Sequence, residues 1–314
     1  MRKLVLSIAF ALSASFSLPV AAGELECARK PTQPADTLIQ VVKETHPDTD
    51  SGSQREFKRV KAAYETLTDD WEVVDNAARA VGVFRSLDNH ALESIRGPVR
   101  ELVDGMAMFV DRYADEGGLR IKTLDELEEY CWYAAGTVGT LVTALVSHEA
   151  TPEQTEQMED NARAFALLLQ LVNVAKDAAT DMEEENNVYL PLELLHEQGL
   201  DHSDVGDPDN AESLVPVIER VTAQAEGYLD GAQTWLEAMP ETRGNTLSAW
   251  AIPFLLAVGT IRELRERPAD VIENGNVKIT RDEVHAVCQQ FIGESAPPIG
   301  DLRTRIRAQP LHEY

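Results

Sequence analysis

An all-α fold, arranged as a single-domain helical bundle, is what three features of this 314-residue chain predict. Segment after segment places apolar residues at intervals of three and four, the period of one helix face. No stretch alternates apolar and polar residues convincingly enough to argue for a sheet. A hydrophobic content of 44% supplies ample material for a large core.

Residues 1–24 have the layout of a secretory signal peptide: basic Arg2 and Lys3, an apolar run, then Val20-Ala21-Ala22 before Gly23. The run is too short and too rich in small residues to be read first as a membrane span. Residues 25–54 are mostly polar, with Pro31, Pro34, Pro47 and a DTDSGS cluster, and read as a linker with one short helix between Asp36 and Glu44. The helical domain is expected over residues 55–293. Arg55 to Leu67, Asp69 to Phe84 and Ala91 to Tyr113 carry helical periodicity, and Gly117-Gly118 ends this set. Thr123 to His148 follows, opened by a capping-box pattern of Thr123 and Glu126. Its centre is stripped of side chains at Ala134, Ala135, Gly136 and Gly139, which weakens a helix by about 1 kcal/mol per glycine and signals close approach by another helix or by a ligand. A long helix runs through Phe165, broken near Tyr189-Leu190-Pro191, and a short one reaches about Gln198. Further helices are expected at Glu212 to Ala238 and at Thr246 to Arg265. In the second of these, Pro253 should kink a nearly all-apolar segment that suits a core or the wall of a greasy tunnel. Asn276 to Arg281 opens a last helix through Gln290, and residues 294–314 read as a polar tail.

With 28 basic and 54 acidic residues the net charge is -26. Repulsion from phosphate opposes nucleic-acid binding, and the acid excess is the composition of a protein kept hydrated at high salt, so a halophilic source is expected. Cys27, Cys131 and Cys288 make neither a metal spacing nor an even disulfide framework. Cys131, inside a helical pattern, reads as a buried thiol. The seven histidines show no ligand spacing.

Chemistry concentrates in FALLLQLVNVAKDAATDMEEENNVYLPLELL, Phe165 to Leu195. Gln170, Asn173, Asp177 and Asp181 are three or four residues apart and form one line of amides and carboxylates on a helix, while Leu168, Leu169 and Val172 lie off that line. Two carboxylates one turn apart repel unless a cation sits between them. Mg²⁺ suits that role, because it takes oxygen ligands and binds through one or two carboxylates plus substrate phosphates. A solvated face is the competing explanation, since Asp111 and Asp115 repeat the spacing in an ordinary surface segment. The strongly apolar setting argues for the site, because unpaired polar groups are costly there.

The segment NVAKDAATDMEEENNVYLPLELL resembles the second aspartate-rich signature of the squalene/phytoene synthase family, a helix with N-x-x-x-D-x-x-x-D followed by an acidic turn and V-Y-L-P. YCWYAAGTVGTLVT, Tyr130 to Thr143, resembles that family's other signature, and V-K-I-x-R at Val277 to Arg281 resembles an element found late in squalene synthases. The resemblance spans about Asp69 to Gln290. It implies an isoprenoid-synthase bundle around a central apolar cavity and a Mg²⁺-dependent transferase acting on prenyl diphosphates. Squalene synthases join two farnesyl diphosphates through presqualene diphosphate and reduce the product with NADPH, whereas phytoene synthases join two geranylgeranyl diphosphates without reduction. By the same resemblance Asp177 and Asp181 hold the metal and Gln170 and Asn173 orient its water shell or the diphosphate. Lys176 contacts phosphate where the family usually has arginine, losing the two-pronged bonding of a guanidinium. Tyr130 lines the reaction chamber and stabilises the cation, and Lys278 and Arg281 are phosphate partners if they face inward.

The family also carries a first aspartate-rich helix, R-x-x-D-T-x-E-D. Its nearest counterpart here is Pro34 to Gln40, PADTLIQ, which keeps one aspartate and has Ile39 and Gln40 at the later acidic positions. Three readings follow: a squalene-synthase-type transferase, an inactive homologue that binds isoprenoid, and a secreted helical binding protein. The first implies a cytoplasmic enzyme or one peripherally associated with membranes, since farnesyl diphosphate is made in the cytosol. The leader-like start implies export instead.

Overall fold

The computed structural model describes residues 77–240, 246–291 and 297–312. Twelve α-helices are found in these residues: α1 Ala77–Ser86, α2 Asn89–Arg112, α3 Leu124–Cys131, α4 Thr137–Val146, α5 Pro152–Glu185, α6 Leu192–Glu197, α7 Ala211–Glu226, α8 Leu229–Ala238, α9 Thr246–Glu266, α10 Asp270–Glu273, α11 Arg281–Gln289 and α12 Ile299–Ala308. Among the described residues the sole β element is an isolated bridge between Arg120 and Val188, so the all-α expectation holds. Two compact units divide the chain, Met1–Glu93 and Ser94–Tyr314. The first, described from Ala77, holds α1 and the start of α2. The leader, the linker and the expected helix Arg55 to Leu67 lie outside the described residues.

In the second unit α5 is the axis. Thr151 caps it by accepting from the Gln154 N–H while Gln154 answers with a bond to the Thr151 N–H, and Pro152 supplies the preset first turn. At 34 residues it is about 50 Å long. Its buried residues include Phe165, Leu167, Leu168, Leu171, Val174 and Ala178, so the helix is surrounded rather than amphipathic, with α4, α7, α8 and α9 against it. Phe165 stacks on Trp235 of α8 at 4.3 Å between ring centroids and meets Trp250 of α9 edge-on. The indole N–H of Trp235 donates to Thr143 Oγ1 at 2.8 Å, which satisfies the polar end of a fully buried ring.

The expected helix Thr123 to His148 is not continuous α-helix. Trp132–Gly136 forms a π-helical turn between α3 and α4, an insertion typical of functional sites. Thr123 caps α3, but Glu126 reaches back to the Lys122 N–H and not to Thr123. The expected helix Glu212 to Ala238 is divided at Gly227-Tyr228 into α7 and α8. Pro253 sits inside α9, which runs unbroken past it. That helix is long and apolar enough to cross a membrane, yet 61% of its apolar window is buried inside the protein. Nor is the helix opened at Arg281 the last. The stretch expected as a polar tail carries α12, because Ile299, Leu302 and Ile306 make a buried stripe within an arginine-rich sequence.

Candidate functional site

Along α5 the polar line is present as a line. Gln170 and Asn173 are half-buried, then Asp177 is 4% and Asp181 3% exposed. Glu185 continues the four-residue step, half-buried, and was not among the residues singled out from the sequence. The Lys176 ammonium pairs with Asp177 Oδ2. Asp181 and Glu183 to Glu185 occupy the end of the helix, where the carbonyl dipoles disfavour anions by about 0.3–1 kcal/mol each. Clustering like charges there is unfavourable for the helix itself.

The helix stops at Asn186, in the left-handed region at φ 53°, whose N–H returns to the Asp181 and Met182 carbonyls. This turn is braced from outside. Arg120 donates to the Asn186 carbonyl at 2.6 Å and to its Oδ1 at 2.7 Å. Gly118 lies so close that any Cβ would stand 1.9 Å from the Asn186 carbonyl oxygen. The chain then turns up through Val188, bonded to Leu119 and Ile121, and delivers Tyr189 into the interior.

Tyr189 is what joins Tyr130 to the acid line. Both rings are buried, their centroids 4.9 Å apart, and the Tyr130 hydroxyl donates to Tyr189 Oη at 3.2 Å. Phe109 of α2 meets the Tyr130 ring edge-on at 5.4 Å. Burial, then the neighbouring Tyr189 hydroxyl, holds the Tyr130 phenol well above its usual range, with Glu185 adding to the effect. Burial also raises Tyr189, helped by the charges of Asp181 and Glu185. Both hydroxyls therefore stay protonated beside the carboxylates. The V-Y-L-P motif contained the signal for Tyr189, but a pairing across 59 residues has no local mark.

The small residues upstream serve packing. A Cβ on Gly139 would sit 2.8 Å from the Ala162 carbonyl and 2.9 Å from Ala166 Cβ, so the close approach is by α5. Gly136 is covered by the ring of Trp132. Cys131 is fully buried, as expected.

Val277-Lys278-Ile279 runs beside the acid line: Val277 N–H donates to the Lys176 carbonyl at 3.2 Å and Thr180 Oγ1 donates to the Gly275 carbonyl at 2.6 Å. The side chains of Lys278 and Arg281 are exposed, against the inward direction that phosphate contact required of them. Among the described residues neither makes an ion pair with Asp177 or Asp181.

No group of three or more His, Cys, Asp or Glu side chains is arranged to hold a metal ion among the described residues. Two buried carboxylates one turn apart still fit Mg²⁺, which needs no more than one or two from the protein. Two open hollows lie elsewhere: one of about 580 Å³ beside Gln233, Arg303 and Arg307, the other of about 350 Å³ beside Glu193, Glu197 and Arg220.

The fold and the buried acid line define an all-α protein of the isoprenoid synthase type. A family model described as squalene/phytoene synthase matches residues 35–283, and the chain belongs to that family of prenyl transferases. The match reaches further toward the N-terminus than the resemblance read from Asp69 onward, and takes in Ala35 to Gln40, which lie outside the described residues. The 15-cis-phytoene synthase of Enterobacter agglomerans is 33% identical over 133 residues, 42% of this chain and 41% of that protein. The squalene synthase of Schizosaccharomyces pombe is 25% identical over 185 residues, 59% of this chain and 39% of that protein. The matches thus span 41% and 39% of the length of these relatives. Among solved structures, the complex of TcSQS with the ligand BPH1237 gives a TM-score of 0.66 at 19% identity, covering 97% of this chain and 82% of that one. YisP from Bacillus subtilis strain 168 gives 0.51 at 18% identity, covering 82% and 95%. At these identities the likeness is one of fold.

Proposed function

We propose that this protein condenses two farnesyl diphosphates head to head into presqualene diphosphate and reduces that product to squalene with NADPH. The observation that supports the reading is the burial of Asp177 and Asp181, side by side on α5, within the stretch matched to the family. Ionisation of a prenyl diphosphate leaves an allylic cation and a leaving group of high charge. Asp177 and Asp181 would hold Mg²⁺, which would supply positive charge to offset that of the leaving group. Lys176 gives a second positive charge to the diphosphate, and Gln170 and Asn173 orient it by hydrogen bonds. Tyr130 stabilises the cation, and the apolar surroundings keep water from it. On this reading the protein works where prenyl diphosphates are made, in the cytoplasm or at the membrane surface.

A second reading, condensation of two geranylgeranyl diphosphates to phytoene without reduction, is supported by the 33% identity to the Enterobacter enzyme. Incubation of the full chain at high salt with Mg²⁺, NADPH and either diphosphate separates the two. Squalene from the farnesyl substrate is expected, with Asp177→Ala lowering the rate by at least about 100-fold. An unchanged yield in that variant would remove the site assignment, product from the geranylgeranyl substrate alone would favour the second reading, and diphosphate binding without any product would mark an inactive homologue.

A further inference from the structure

We propose that Tyr189 is a positioning residue that sets the direction of the Tyr130 hydroxyl, so that the oxygen lone pairs of Tyr130, and not its proton, face the reacting hydrocarbon. The inference rests on the prenyl transferase reading above, and the geometry behind it begins at Asn187. The Leu119 N–H can only donate, and it points at Asn187 Oδ1 from 2.9 Å. That fixes which end of the amide is which, and the NH₂ group must face the other way. There it donates to Glu185 Oε2 at 3.1 Å and to Tyr189 Oη at 3.3 Å.

Tyr189 Oη therefore accepts one bond from Asn187 and, at 3.2 Å, a second from the Tyr130 hydroxyl. The Asp181 and Glu185 carboxylates act on Tyr189 through their charge, and a negative field favours the rotamer that turns its proton toward them and leaves the oxygen to accept from Tyr130. With its proton committed to Tyr189, Tyr130 keeps its lone pairs, and among the described residues no donor occupies them. Ring rotation is checked by Phe109 on one side and Tyr189 on the other.

Direction matters because a phenol is a dipole. Its oxygen stabilises a nearby carbocation, whereas its O–H end opposes one, and in an apolar setting neither effect is screened. A hydroxyl without a fixed acceptor turns freely between the two. Tyr189 removes that freedom without itself touching the substrate.

The test is a double-mutant cycle on the full chain with Mg²⁺ and the diphosphate that it turns over. Tyr189→Phe keeps the ring and should lower kcat by about tenfold while KM stays within about twofold, the signature of an interaction made in the transition state. Tyr130→Phe should lower kcat at least as much, and the double variant should be no slower than Tyr130→Phe alone. Asn187→Asp keeps the acceptor for Leu119 but deletes the N–H groups, and should also lower kcat if the clamp acts through Tyr189. A Tyr189→Phe enzyme with wild-type kcat, or single effects that multiply in the double variant, would overturn the proposal. Should wild type turn over and Asp177→Ala be dead while Tyr189→Phe is unaffected, the positioning role fails and the prenyl transferase reading stands. A wild type inert toward both diphosphates removes the two together.

Discussion

Glu283 and Asp181 are 2% and 3% exposed, and the fold surrounds these two carboxylates in different ways. Glu283 accepts both arms of the Arg262 guanidinium, at 2.9 and 2.8 Å, and the Leu311 N–H at 3.2 Å. Arg262 spends its remaining donors on the Ile306 carbonyl and on Glu263. Burial alone would lower the Arg262 pKa, but Glu283 and Glu263 hold it above the usual value. That cluster ties α9, α11 and α12 together and is complete as it stands. Asp181 is instead one turn from Asp177 and one turn from Glu185, at the helix end that repels anions. The difference teaches two uses of a buried carboxylate: Glu283 is locked to a guanidinium that ties three helices together, whereas Asp181 stands in a row of acids where the proposed function places a cation.

The sharpest way to break this comparison is Arg262→Ala, which strands Glu283 without its cation. It is expected to destabilise the protein by about 3–5 kcal/mol in denaturant titration, with turnover per folded molecule unchanged. Asp181→Asn should act on turnover instead, lowering it by about 100- to 1,000-fold with a smaller loss of stability than Arg262→Ala. If both variants lose stability equally, the distinction is lost. Mg²⁺ with inorganic diphosphate should stabilise wild type by about 2.7 kcal/mol at a hundredfold excess over Kd, leave Arg262→Ala equally responsive and give no thermal shift in Asp181→Asn.

A smaller effect sharpens the comparison with a third carboxylate. Burial alone would raise the pKa of Glu126, but hydrogen bonds from Tyr113, the Lys122 N–H and Arg112, each at 2.7 Å, hold it below its ordinary value. A carboxylate more acidic in the folded chain than in the unfolded one adds stability above its ordinary pKa and loses it as pH falls through the folded value. Wild type should therefore lose stability below about pH 4.5, and Glu126→Gln should lose less over that window, read from unfolding midpoints across pH.

Helical periodicity made most of the bundle legible in advance, since burial of one face leaves its mark every three or four residues. The acid line was legible for a different reason. Asp111 and Asp115 have the same spacing as Asp177 and Asp181 and are exposed; what distinguished the second pair was the apolar run around it. Contacts between distant segments left no such mark. Arg262 and Glu283 are 21 residues apart, and neither looks different from any surface charge in a chain with 54 acids. α12 escaped notice because three buried residues among arginines make a short stripe. The π turn escaped because an extra residue in a helix shifts the register by less than the pattern resolves.

The burial of Cys131 offers a clock. Its sulfur is fully enclosed, and burial raises the thiol pKa well beyond the usual range, with Glu128 adding to it, so almost none of it is thiolate at neutral pH. Alkylating reagents must wait for α3 to open, and α3 also carries Tyr130. The half-buried Cys288 on α11 reacts sooner and marks the starting time. The interval between the two modifications, followed by mass spectrometry with and without diphosphate, would report how often the tyrosine wall breathes and whether substrate holds it shut.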